Sequence, residues 1–139
     1  MALETVKEGN VVTALADTVA LPRMVKVRQK LDHTNIPREE ILGKVRKELL
    51  QCGMAQRIHK GDSIAITCGS RGVANIALII KAIVDFVKKA GGEPFVFPAM
   101  GSHGGATAEG QREILTGYGV TEEYLGCPIR ATMEVDQLG

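Results

Sequence analysis

Hydrophobic and polar positions alternate along this chain in two different periods, and the switches between them predict the elements. From Met24 to Leu31, Val25, Val27 and Leu31 interleave with Lys26, Arg28 and Lys30. That period of two predicts a strand with one wet face. Pro37 then opens a helix, with Glu39 and Glu40 favourable in its first turn, and Ile41, Val45, Leu49 and Cys52 form its apolar stripe up to a stop at Gly53. Ser63 to Thr67 carries Ile64, Ala65 and Ile66 in succession, the pattern of a strand covered on both faces. Ile76, Ile79, Ile80, Ile83, Val84 and Val87 follow helical spacing, with Lys81, Asp85, Lys88 and Lys89 mostly opposite and Gly91-Gly92 as the stop.

A third strand is predicted over Glu93 to Ala99, ended by Pro98, which has no N–H for a ladder. The next helix starts near Thr107 with Ile114, Leu115 and Tyr118 inward. Thr121 caps a short turn, and Ile129 to Val135 alternates again as a last strand. Strand and helix thus alternate four times. The expected fold is α/β: a mostly parallel sheet of about four strands with flanking helices, Rossmann-like, in a single domain over 1–139. Residues 1–21 are hard to place.

Three polar loops each follow an expected strand: Asp32-His33-Thr34-Asn35, Gly69-Ser70-Arg71-Gly72 and Gly101-Ser102-His103-Gly104-Gly105. In an open parallel sheet such loops share one rim, where ligands bind. Glycine lets the backbone approach a ligand and take positive φ, and the helix start near Thr107 offers free N–H groups. Arg71 supplies a planar fork for carboxylate or phosphate, and His103 a proton acceptor near neutral pH. Plainer readings stand beside these. Arg71 could cap a helix, His103 could tie one loop to another, and Asp32 could close an Asx-turn. His33 and His59 read as surface residues, Cys68 as a small buried hydrophobe, and the Lys44, Arg46, Lys47 and Glu48 cluster as a solvated face.

Composition narrows the partners. A net charge of +1 and an absence of Trp give no case for nucleic acid or an anionic membrane. The apolar tract from Ile76 to Val87 is broken by Lys81 and Asp85, so no membrane span is expected. Cys52, Cys68 and Cys127 form no C-x-x-C pair, which predicts neither a zinc site nor a disulfide framework and suits a cytoplasmic protein. The glycine turn is not G-x-G-x-x-G, and neither a Walker loop nor H-E-x-x-H occurs.

Two blocks resemble the N-terminal domain of the lactate racemase family, the nickel-pincer nucleotide enzymes. They are Ile66-Thr67-Cys68-Gly69-Ser70-Arg71-Gly72-Val73-Ala74-Asn75-Ile76 and Pro98-Ala99-Met100-Gly101-Ser102-His103-Gly104-Gly105-Ala106-Thr107-Ala108-Glu109-Gly110-Gln111. The resemblance runs from about Leu21 onward and is strongest to uncharacterised members. It implies that Arg71 matches a substrate-holding arginine and His103 a proton acid/base. It also implies cofactor contacts at Gly69, Ser70, Gly101, Ser102, Gly104, Gly105 and Asp32. The family's aspartate position before the arginine falls at Cys68. Asp32-His33-Thr34-Asn35 resembles the family's Asp-His-Thr-Arg-Pro motif but lies one strand early and ends in Asn.

The implied activity is racemisation or epimerisation of a small 2-hydroxy acid through a nickel-pincer nucleotide. The residues that attach that cofactor would lie outside this chain, in a C-terminal domain. The chain is then expected to be a fragment of a longer two-domain enzyme, incomplete for catalysis alone. Two other functions fit the same loops: a non-catalytic nucleotide- or phosphate-binding module, and an interaction domain docking a partner on its wet strand faces.

Overall fold

The computed structural model describes residues 20, 23–31 and 35–134. The chain divides into two units, Met1–Thr34 and Asn35–Gly139. In the first, residues 23–31 form neither helix nor strand, and Met24, Val25, Val27 and Leu31 are exposed. The strand expected there is not formed. Alternation alone does not hold a strand, because its N–H and C=O groups need a paired edge.

The second unit begins with a 3-10 turn, Arg38–Glu40, that leads into helix α1, Ile41–Gln51. Of the expected stripe only Ile41 is buried; Val45 and Leu49 are half-buried and Cys52 is exposed. Gly53, at φ 75°, ends the helix as expected, and a single turn, α2, Met54–Arg57, follows. Strand β1, Ser63–Cys68, is joined through helix α3, Ile76–Ala90, to strand β2, Glu93–Pro98. The strands pair in parallel, from Ser63 opposite Glu93 to Cys68 opposite Pro98. A 3-10 turn, His103–Ala106, and helices α4, Ala108–Gly117, and α5, Glu122–Leu125, complete the order among the described residues.

The protein is therefore α/β, with a two-stranded parallel sheet flanked by helices. At the position of the expected last strand, Ile129 makes one parallel bridge to Val96, while Met133 is exposed. A strand covered on both faces was expected at β1. Instead Ile66 and Cys68 are buried while Ser63, Ala65 and Thr67 are exposed. Three successive apolar residues thus mark a one-sided strand here, because Ala65 is small enough to stand in water at little cost.

The core forms on the other face. Ile66, Cys68 and Val96 from the sheet meet Ile80, Val84 and Val87 of α3. Leu115 of α4, Val120, Leu125 of α5 and Ile129 close it. Val84, Val96, Leu115, Val120 and Leu125 are wholly excluded from solvent. Helix α3 runs into Gly91, whose φ of 96° lets its N–H reach the Lys88 carbonyl. Among the described residues no helix is long and apolar enough to cross a membrane.

Candidate functional site

The parallel pairing sends both strands out at the same end of the sheet. The Ala99 N–H still donates to the Cys68 carbonyl at 2.8 Å. Beyond that bond the two chains separate into the loops 69–75 and 99–107, as a β–α crossover requires. The gap between them is a cleft of ≈ 550 Å³ lined by Gly69, Ser70, Arg71, Val73, Ile76, Ala99, Met100, Gly101, Ser102 and His103.

Six of the expected site residues therefore share one cavity: Arg71, His103, Gly69, Ser70, Gly101 and Ser102. Gly104 and Gly105 do not line it; they form the turn behind His103, both in the left-handed region at φ 66° and 67°. Asp32 lies outside the described residues, as does the rest of its loop up to Thr34.

Within the cleft, Ser70 Oγ and His103 Nδ1 are 2.5 Å apart. The bond joins the two loops across the mouth of the sheet. Arg71 and His103 are both exposed, and among the described residues no carboxylate lines the cleft. Among the described residues the one fixed charge on its walls is the Arg71 guanidinium, which favours an anionic ligand.

Both loops are pinned from α4 and the residue that ends it. Gln111 is buried, and its Nε2 donates to the Gly101 carbonyl at 2.7 Å. The Tyr118 hydroxyl donates to the Ser70 carbonyl at 2.9 Å. The helix itself starts where the Thr107 hydroxyl accepts the Gly110 N–H at 3.0 Å and donates to the Gly104 carbonyl at 3.1 Å. Gly104 and Gly110 touch so closely that a Cβ on either would meet backbone atoms of the other at 2.4 Å or less. Two non-glycine residues near the ends of the loops, Asn75 at φ 58° and Ala106 at φ 54°, also sit in the left-handed region.

Of the three polar loops expected on one rim, these two line the cleft, and nothing in the residue order pointed to the Tyr118–Ser70 bond or the Ser70–His103 bond. For Gln111 a signal existed. It falls in register with Leu115 and Tyr118, so it is a polar side chain inside an apolar stripe.

Cys68 closes β1 beneath the cleft, where burial pushes its thiol above the usual range. The same cause, followed by the opposing influence of Lys88, acts at Cys127. Neither is therefore poised as a thiolate nucleophile. Among the described residues no three His, Cys, Asp or Glu side chains gather in a way that could hold a metal ion.

No family model, no curated protein and no solved structure matches this chain.

Proposed function

We propose that this chain supplies the carboxylate grip and the proton-exchanging group of an isomerase site for a small 2-hydroxy acid. In this reading it is the N-terminal domain of a racemase or epimerase that works with a nickel-pincer nucleotide. The observation that carries the proposal is the shared cleft. A lone guanidinium and an imidazole line one cavity at the carboxyl ends of parallel strands, with no carboxylate on its walls among the described residues. Arg71 is suited to hold the substrate carboxylate in a bidentate pair. His103 is suited to take the proton of the neighbouring hydroxyl and return it.

The described residues do not fit the metal of such a cofactor, since they offer no cluster of ligands for it. Its attachment belongs to a further domain on this reading, and no step through it is assigned to these residues. A Rossmann-like parallel sheet wider than two strands is part of the same proposal: β1 and β2 are its centre, and the bridge at Ile129 marks where a third parallel strand would join.

The test has two arms. Titration calorimetry of the chain with D- and L-2-hydroxy acids should show binding that Arg71→Ala weakens by roughly 10-fold or more, the worth of a charged hydrogen bond. In the complete protein, His103→Ala should abolish racemisation while circular dichroism stays unchanged. Full turnover in the His103→Ala protein would refute the reading. Binding of phosphate or a nucleotide, with racemisation absent from the complete protein, would instead assign the loops to a non-catalytic phosphate-binding module.

A further inference from the structure

We infer that Ser70 is a positioning residue that fixes the tautomer of His103, a role that rests on the proton-exchange reading of that histidine. The Ser70 Oγ lies 2.5 Å from His103 Nδ1, so this ring nitrogen is already engaged. Nε2 is the nitrogen left for a ligand. A neutral imidazole carries one proton. If Nδ1 holds it and donates to Ser70, Nε2 keeps its lone pair and can accept a proton from a bound hydroxyl. If Ser70 donates instead, Nε2 carries the proton and His103 is a donor, unable to act as the base.

The surroundings hold both partners of this bond in place. Its own carbonyl is held by the Tyr118 hydroxyl at 2.9 Å, so the backbone beneath Oγ is fixed. The opposite loop is held by Gln111 on the Gly101 carbonyl, two residues before His103. Both partners of the bond are thus anchored to one helix and the residue that ends it. An orienting hydrogen bond to one ring nitrogen sets which nitrogen is free to react at the other. Here a hydroxyl takes the place that a carboxylate or backbone carbonyl often fills. Among the described residues no acid bonds to His103, so the imidazolium gains no fixed counter-charge from its orienting partner.

The experiment is nitrogen-15 NMR of the histidine rings in this chain at pH about 8.5, above the ordinary histidine value of about 6.5. His103→Gln identifies the His103 signals by their loss. In the wild-type chain the neutral ring should be mainly protonated at Nδ1 and bare at Nε2. Ser70→Ala should move the balance toward the Nε2-protonated form, and Ser70→Thr, which keeps the hydroxyl, should restore the wild-type pattern. A wild-type ring protonated mainly at Nε2, or a Ser70→Ala spectrum with unchanged ring signals, would overturn the assignment. The tautomer is read without turnover. A complete protein that fails to racemise would therefore sink the isomerase reading while leaving the role of Ser70 to be judged by its own spectrum.

Discussion

Replacing Gly110 by alanine should destabilise the protein, although alanine is the better helix former. In α4 the exchange would ordinarily stabilise by about 1 kcal/mol. Here the new Cβ would stand 2.0 Å from the Gly104 carbonyl oxygen, 2.7 Å from its carbon and 3.0 Å from its Cα. All three are backbone atoms, which cannot rotate away as a side chain can. The turn behind His103 must shift, at a typical overpacking cost of about 1–3 kcal/mol. That shift also breaks the Thr107 bonds to the Gly104 carbonyl and strains the Gln111 bond to Gly101, each worth about 1 kcal/mol.

The net loss should be at least about 2 kcal/mol. For a unit of about 100 residues each kcal/mol moves Tm by roughly 4–8 °C, so the expected fall is about 8–16 °C or more. Gly117→Ala is the control. It lies in the same helix with nothing within 4 Å of a new Cβ, and should hold or raise Tm. Differential scanning calorimetry of the three proteins reads the comparison. A Gly110→Ala protein as stable as the wild type would refute the close-contact argument.

Three further outcomes follow from the packing. Gln111→Ala leaves the Gly101 carbonyl without its buried donor and should cost about 2–3 kcal/mol in urea unfolding; an unchanged midpoint would mean water replaces the amide. Burial raises the Cys68 and Cys127 thiols above their ordinary value of 9.0, so the folded state binds protons there that the unfolded chain has lost. Stability should be full below pH 9 and decline as pH climbs above it, and Cys68→Ala should shallow that decline in pH-dependent unfolding. Arg130→Ala removes a guanidinium 4.2 Å from the centroid of the Phe95 ring and should cost about 0.5–1 kcal/mol, readable as a small Tm decrease.

The parts of the fold written in local physics were legible from residue order alone. Helix α3 follows its isoleucine and valine spacing, and Thr107 and Thr121 cap where their side chains predict. Both strands bordering the cleft lie within a residue of their expected ends. What was not legible depends on pairing. The alternating runs at Met24–Leu31 and Ile129–Val135 have strand composition, yet a ladder needs a neighbour, and composition does not say which edge is available. Cys52 looked like part of a stripe because helical spacing was extended past the true end of α1 at Gln51. The cleft was legible as two loops on one rim. Its internal wiring was not, since Ser70 and His103 are joined by a contact 33 residues apart.

Asn75 and Ala106, with left-handed backbones, stand near the ends of the two cleft loops. Each such residue without glycine's freedom holds on the order of 1–2 kcal/mol of conformational tension. Asn75→Gly or Ala106→Gly would relieve that tension with the backbone in place, so positions open to toughening against heat lie beside the candidate ligand cavity.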